Sequence, residues 1–322
     1  MSFWDGLLTD TEAGVLATVE PSAPPPLAGP RVASLLLGYR CDLTCSYCLV
    51  IHQQAETVDT AAWKGAIDRL VTAGVRRISF SGGEPTLRPD LAQLVGHATG
   101  RGCLTSLVTN GMRLVDQLGA LEDAGLRALT VSLDSADARI WQDVRGGGRA
   151  AHARILEGLR LARAHRRVWV GVNLVLSRAS IPALPSLLDL CRDLGVALQV
   201  QPVNLMPGLP DLRPEDDEAH AAVALLVGAR PPVTTSVEFL EAIPGFWRNG
   251  TPPFRCHVPD AEVVIAPDLG VQPCCVAGAV GKVAEIDTLW NGHAFGKWRE
   301  KARSQSCRDC MLLYHDPPRS AQ

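Results

Sequence analysis

Cys41, Cys45 and Cys48 fall in one short segment, Cys41-Asp42-Leu43-Thr44-Cys45-Ser46-Tyr47-Cys48. Three thiolates on one loop can each take one iron of a cubane [4Fe–4S] cluster, which is fully ligated only by four cysteines. One iron is then left open to chemistry. A structural zinc site is the plain alternative. Zinc takes four ligands, usually as two pairs, whereas these are three at two unequal spacings. A second candidate is Ser81-Gly82-Gly83-Glu84-Pro85. Paired glycines let a ligand approach the backbone closely. Carbonyls exposed there can accept hydrogen bonds from an ammonium group, and Glu84 adds negative charge. Taken alone, the segment is simply a turn.

Four more cysteines lie near the C-terminus: Cys256, Cys274, Cys307 and Cys310. Cys256 precedes a short apolar run, Pro267-Asp268-Leu269-Gly270 turns the chain, and Cys274 ends the return. The two cysteines can thus meet at the base of a hairpin. Cys307-Arg308-Asp309-Cys310 has the spacing of a pair that grips one metal centre. Four thiolates bind zinc or close a second [4Fe–4S] cluster, and zinc is the reading for these residues taken alone. Cys275 competes with Cys274 for the last place. Neighbours on a strand point opposite ways, and Cys274 fits the Gly-x-x-Pro-Cys pattern better. Cys103 and Cys191 have no partner nearby in sequence and read as small buried hydrophobes. His257, His293 and His315 read as surface or packing residues.

The elements that would position these groups follow a rhythm. Apolar runs at 33–38, 77–81, 103–109, 126–133, 168–176 and 196–200 read as strands. Between them, 60–73, 89–99, 113–124, 149–165 and 181–194 read as helices. This alternation implies a parallel sheet with crossover helices, its strands apolar on both faces. An open doubly wound sheet and a barrel fit the pattern alike. The motifs decide for a barrel, because they fall at the C-terminal ends of successive strands, where barrel enzymes gather their chemistry. After about residue 205 the rhythm stops. An amphipathic helix at 214–227 follows, then short strands near 261–266 and 270–273, then one helix at 288–302 carrying Trp290 and Trp298 as core residues. Residues 1–30 end in a Pro-rich stretch and read as an extended N-terminal arm.

The chain of 322 residues suffices for one large domain and a smaller one. Its 47% hydrophobic and 20% charged residues are ordinary for a soluble globular protein. A net charge of −3 gives no general pull toward nucleic acid or an anionic membrane. No apolar run reaches transmembrane length, and the first residues lack the basic region of a signal peptide. The expected location is the cytoplasm. In that reducing compartment, clusters among the ten cysteines read as metal ligands rather than disulfides.

Cys-x3-Cys-x2-Cys with an aromatic before its last cysteine, then Gly-Gly-Glu-Pro at the next strand end, resembles the radical S-adenosylmethionine superfamily over about residues 32–205. The resemblance implies an α/β fold: a partial (β/α)6 barrel at 31–205, a connecting segment at 206–255, and at 256–322 a small C-terminal α+β auxiliary iron–sulfur subdomain of the twitch or SPASM type. It implies that the open iron binds the amine and carboxylate of S-adenosylmethionine. Reductive cleavage would give a 5′-deoxyadenosyl radical that takes a hydrogen atom from substrate. On this resemblance Cys41, Cys45 and Cys48 hold the catalytic cluster, and Gly82, Gly83, Glu84 and Pro85 receive the methionine amine. Tyr47 packs beside the adenine. Asn110, Ser132 and Asp134 contact the ribose or the methionine carboxylate. Arg145, in a turn Asp143-Val144-Arg145-Gly146-Gly147, pairs with a carboxylate of S-adenosylmethionine or substrate. Asn173 touches the nucleoside, and Gln201 faces the substrate.

By the same resemblance Cys256, Cys274, Cys307 and Cys310 become ligands of one auxiliary [4Fe–4S] cluster, and a flavodoxin- or ferredoxin-type protein is the reductant. The spacing Cys256-x17-Cys274 with a later Cys-x2-Cys is similar to the aminocyclitol dehydrogenase family of butirosin biosynthesis. That likeness implies a two-electron oxidation of a small sugar- or aminocyclitol-like natural product, with the auxiliary cluster accepting an electron. The alternatives are a maturase that crosslinks or epimerises a ribosomal peptide, and a radical sugar decarboxylase or epimerase. About thirty residues precede the first strand, too few for a peptide-binding domain, so a separate recognition protein would have to supply one.

Overall fold

The computed structural model describes residues 29–50, 53 and 55–312. Six strands come first: β1 (Val32–Leu36), β2 (Arg77–Ser81), β3 (Leu104–Thr109), β4 (Ala128–Ser132), β5 (Trp169–Leu176) and β6 (Ala197–Pro202). Helices connect them: α1 (Thr60–Thr72), α2 (Leu91–Gly100), α3 (Leu114–Asp123), the consecutive α4 (Ala138–Arg145) and α5 (Arg149–His165), and α6 (Leu184–Leu194). Each of these strands pairs in parallel with the next in sequence. The sheet ends at β6, whose outer edge meets the 232–235 segment through an isolated Leu198↔Val233 bridge, and does not close, so the architecture is a partial (β/α)6 barrel.

Side-chain alternation separates two surfaces. Ala33, Leu35, Ile78, Phe80, Leu107, Leu129 and Val131 join one hydrophobic core with Trp63, Ile67, Leu94, Leu118 and Leu159 of the helices. The residues between them, Ser34, Ser79, Ser81 and Val108, line an internal cavity instead. The strands are therefore not apolar on both faces, contrary to the expectation from their runs. The inner face encloses space rather than a packed core, and it carries small and polar side chains.

Helix ends explain another difference. Asp137 caps α4 by accepting from Arg139 N and Ile140 N at 2.7 and 3.2 Å, and Gly146 ends it with φ of 73°. Asp143, Val144 and Arg145, expected in a turn, thus form the last turn of α4.

After β6 come α7 (Asp216–Gly228) and α8 (Val237–Asn249). The second was not expected within the connecting segment, and it holds Pro244 inside it. Ser236 caps α8 by accepting from Phe239 N at 3.1 Å, and burial of Phe239, Leu240, Ile243, Phe246 and Trp247 holds it against the core. Then follow α9 (Val258–Ala261), β7 (Glu262–Ile265), β8 (Gly270–Gln272), β9 (Gly281–Lys282), α10 (Ile286–Asn291) and α11 (His293–Arg303). The single helix expected at 288–302 is broken at Gly292, whose ψ of 170° is extended. Trp290 is core, whereas Trp298 packs beside the C-terminal cysteines.

The hairpin expected near Cys274 exists as β7–β8, but β7 also pairs in parallel with β1, from Val32↔Glu262 to Leu35↔Ile265. One sheet of order β6-β5-β4-β3-β2-β1-β7-β8-β9 results. The C-terminal unit is thus fused to the edge of the barrel. Residues 1–28, which hold nearly all of the expected arm, and His315 lie outside the described residues. No described helix is long and apolar enough to cross a membrane.

The two surfaces predict opposite mutational behaviour. Phe80→Ala, at a position with 0% exposure, costs about 3–5 kcal/mol. Ser79→Ala, on the cavity side, costs less than about 1 kcal/mol. Urea unfolding midpoints of the two variants check the orientation of β2.

Candidate active site

The cysteine loop leaves the end of β1 and lies between two other backbones. On one flank Leu37 N donates to Ser81 O at 3.0 Å, Gly83 N to Gly38 O at 2.8 Å and Glu84 N to Arg40 O at 2.8 Å. A Cβ on Gly82 would stand 2.5 Å from Gly38 O, and one on Gly83 would stand 2.2 Å from Arg40 O. The glycines expected to admit a ligand therefore admit the cysteine loop itself, and Gly82 also needs its φ of +128°. On the other flank Thr44 N and Ser46 N donate to Arg145 O and Val144 O at 3.1 and 3.0 Å. Those carbonyls are free because they end α4.

Glu84 is buried, and its carboxylate accepts from Thr86 N, Thr86 Oγ1, Thr109 Oγ1 and Asn110 N at 3.0, 2.6, 2.7 and 2.7 Å. Burial pushes its pKa up against the pull of these donors. It ties the end of β2 to the end of β3 and is not the exposed charge expected from sequence. Pro85 opens the short buried 3-10 turn that follows. Asn110 reaches back into the cysteine loop, donating from Nδ2 to Asp42 Oδ1 at 2.7 Å.

Tyr47, Asp134 and Arg145 satisfy one another. Tyr47 donates its hydroxyl to Asp134 Oδ2 at 2.5 Å, and Arg145 Nη1 donates to Tyr47 Oη at 3.0 Å and to Asp134 Oδ2 at 3.2 Å. Asp134 Oδ1 accepts from Val175 N at 2.9 Å, and Asp134 has 0% exposure. Burial holds the Tyr47 phenol protonated, with its pKa well above the usual value. Burial also works against the Arg145 charge, but Tyr47 and Asp134 outweigh it and raise its pKa. The expected ribose contact of Asp134 is corrected by this geometry, because both of its oxygens already have partners in the protein. Both Asp134 oxygens and Arg145 Nη1 are engaged inside the protein, where they clamp the cysteine loop to α4 and β5, while Arg145 Nε is buried with no hydrogen-bond partner among the described residues.

Ser132 and Asn173 lie where a ligand at the barrel mouth could reach them. They are direct neighbours on β4 and β5 at the barrel mouth, both half-buried. Asn173 Oδ1 is buried with no hydrogen-bond partner, an acceptor suited to a ribose hydroxyl. Gln201 lies half-buried at the end of β6, opposite Val175.

The donor set fits iron–sulfur clusters. All ten cysteines are free thiols. Burial pushes the Cys45 thiol up to about 11 and the Cys256 and Cys310 thiols to about 12, so thiolates there need a cationic centre to neutralise them. Among the described residues no three His, Cys, Asp or Glu side chains converge as ligands of a single ion. A cubane differs, because each thiolate takes its own iron. Cys256, Cys274, Cys307 and Cys310 line one cavity with Cys275 and Trp298, while His257 and His293 do not. The Cys307–Cys310 loop is anchored where Asp309 N donates to Gly250 O at 2.7 Å and Leu205 N donates to Asp309 O at 2.8 Å. Cys103 and Cys191 are buried in the main core, as expected.

Glu262 escaped the sequence reading. It sits on β7 facing the barrel interior and accepts from Ser34 Oγ at 2.5 Å. Burial pushes its carboxyl up to about 7 from the ordinary 4.5. The one signal in the sequence was an acidic residue opening an otherwise apolar strand.

Two outcomes follow from this geometry. Gly83→Ala forces the cysteine loop off β2, so the protein takes up about half its iron and cleaves S-adenosylmethionine about a hundredfold more slowly. Iron analysis and 5′-deoxyadenosine yield measure this. For Glu262 the native pKa lies above the unfolded one, so its contribution is complete below pH 4.5 and is lost as pH rises through about 7. The change amounts to about 3 kcal/mol. Glu262→Gln abolishes it, so the variant unfolds at higher urea than wild type at pH 8 and the difference closes at acid pH.

Comparison with known proteins agrees with the geometry. Residues 35–178 match the model of the radical SAM superfamily, and residues 256–311 match that of an iron–sulfur cluster-binding domain. The chain is 30% identical over 304 residues to a PqqA peptide cyclase of Rhodopseudomonas palustris, covering 88% of this chain and 80% of the relative. It is 33% identical over 193 residues to a probable GTP 3′,8-cyclase of Methanopyrus kandleri, covering 58% and 61%. In fold it is similar to SuiB of Streptococcus suis bound to its precursor peptide SuiA, with a TM-score of 0.68 at 15% identity over 85% of this chain and 67% of that one. The chain belongs to the radical S-adenosylmethionine superfamily and is a radical enzyme whose cofactors are S-adenosylmethionine and [4Fe–4S] clusters, one of them auxiliary.

Proposed function

We propose that this enzyme modifies a peptide, joining or altering side chains of a short ribosomal precursor by removal of hydrogen. The observation that carries the reading is the likeness to PqqA peptide cyclase, which runs through both the barrel and the C-terminal cysteine unit over 304 residues. The reading expected first, a sugar- or aminocyclitol-like substrate, rested on cysteine spacing. The likeness to a GTP cyclase, which also speaks for a small molecule, spans only 58% of the chain.

In this reading Cys41, Cys45 and Cys48 hold the catalytic cluster, and Cys256, Cys274, Cys307 and Cys310 hold the auxiliary one. When bound, the cluster and S-adenosylmethionine supply a 5′-deoxyadenosyl radical that takes one hydrogen atom from the substrate. Ser132 and Asn173 receive the ribose. The Tyr47–Asp134–Arg145 clamp and the Gly82-Gly83 contact hold the loop in register with it. The barrel keeps water away from the radical. A flavodoxin- or ferredoxin-type protein supplies the electron.

Reconstituted without oxygen, the protein binds about eight irons per chain, and the paired variant Cys307→Ala with Cys310→Ala loses about half of them. With dithionite it converts S-adenosylmethionine to 5′-deoxyadenosine, and triple replacement of Cys41, Cys45 and Cys48 by Ala abolishes this. Incubated with the short peptide encoded beside its gene, it lowers the peptide mass by two hydrogen atoms. An unchanged peptide, together with oxidation of an aminocyclitol, would falsify the peptide reading.

A further inference from the structure

A cavity of about 130 Å³ lies inside the barrel between β1, β2 and β7. Its wall includes Ser34, Ser79, Ser81, Glu262, Val264 and Cys275. Ser81 directly precedes Gly82, so the cavity begins beside the turn that supports the cysteine loop. Glu262 is 5% exposed and has one hydrogen bond, from the neutral Ser34 hydroxyl. Among the described residues, burial and the Ser34 hydroxyl set its pKa. A buried carboxyl so poorly compensated is a burden on the fold, and the hairpin of β7 and β8 needs no acid for its pairing.

The other side of that hairpin is the cysteine cavity. Val258 and Cys275 line both spaces, so the wall between them is a side chain thick. A group reacting in the barrel cavity would have Glu262 on one side and the auxiliary cysteines just behind it.

We propose that Glu262 is a catalytic residue that accepts the proton released when the substrate radical is oxidised in this cavity, while the electron leaves across the Cys275 wall to the auxiliary cluster. The balance is simple. The 5′-deoxyadenosyl radical removes one hydrogen atom from the substrate. The radical left behind, directly or after forming a new bond, gives one proton to the Glu262 carboxylate and one electron to the auxiliary cluster. The substrate loses two hydrogens in all, and the proton passes on to solvent. The step rests on the radical chemistry of the family and holds for a peptide or a small molecule alike.

The groups that share the cavity with Glu262 include Ser34 of β1, Ser79 and Ser81 of β2, and Cys275, and the Glu262 charge is felt by the thiols of Cys275 and Cys256. Arg77, on the same face of β2, has interactions of its own. A carboxyl that titrates near 7 in this setting can take and release a proton at neutral pH.

The test needs no substrate in its first arm. Cluster-loaded enzyme is treated with dicyclohexylcarbodiimide, which modifies protonated carboxyls in apolar surroundings, and its peptides are mapped by mass spectrometry. Labelling of Glu262 that falls as pH rises through about 7 is the expected result. No labelling at any pH overturns the proposal. In the second arm the precursor peptide, deuterated at its reacting carbon, is given to wild type, Glu262→Gln and Glu262→Asp. The ratio of finished product to deuterium found in 5′-deoxyadenosine falls about a hundredfold in Glu262→Gln and recovers in part in Glu262→Asp. A wild-type ratio in Glu262→Gln also overturns it. If wild type moves no deuterium from the peptide, the peptide reading fails, and the carbodiimide arm still decides the role of Glu262.

Discussion

A loop that carries three cysteines has no strand to pair with, so its shape comes from the two backbones between which it is wedged. Gly83 and Glu84 hold one flank through Gly38 O and Arg40 O, and the last carbonyls of α4 hold the other through Thr44 N and Ser46 N. No side chain fits at Gly82 or Gly83 without meeting a carbonyl oxygen. The rest of the site depends on this contact. Glu84 fixes the turn to β3, Asn110 fixes β3 to the loop, and Arg145 fixes α4 to Tyr47. Three thiols are presented by a closed ring of contacts rather than by a free loop.

Burial sets the electrostatics of that ring. The Arg145–Asp134 pair has side-chain exposures of 6% and 0%, a setting in which charges are costly unless fully hydrogen-bonded. Tyr47 and Val175 N complete the bonds of Asp134, while Arg145 Nε is left without a partner among the described residues. Such a pair contributes little net stability, yet removing either partner strands the other, so it acts as a register pin. The thiols follow the same logic by another route. Buried thiolates are unfavourable until a cluster neutralises them, which couples iron binding to the final shape of the loops.

Joining β7 to β1 gives the enzyme its second half. Because Glu262 lies in register with Val32, the auxiliary unit is built onto the barrel edge rather than tethered to it. One hairpin then separates the barrel cavity from the auxiliary cysteines. Val258 and Cys275 of this region line both spaces.

The cysteine spacing and the Gly-Gly-Glu-Pro turn carried the resemblance to the radical S-adenosylmethionine superfamily, and through it the chemistry. The strand–helix rhythm determined a parallel sheet with crossover helices, and the motifs at the strand ends, not the rhythm, chose a barrel over an open doubly wound sheet. Tertiary structure decided what each polar residue does. Glu84 and Asp134 are acids near strand ends, and only packing shows that Glu84 is held by Thr86, Thr109 and Asn110 and Asp134 by Tyr47, Arg145 and Val175. Ser34 and Ser79 vanish within apolar runs until the inner face is seen to enclose a cavity. Glu262 reads as one acid among 34 until β7 places it beside β1, 228 residues from the serine that bonds it. Spacing along a chain fixes which atoms can share one metal, but contact between distant segments fixes which charges are buried and which remain free to react.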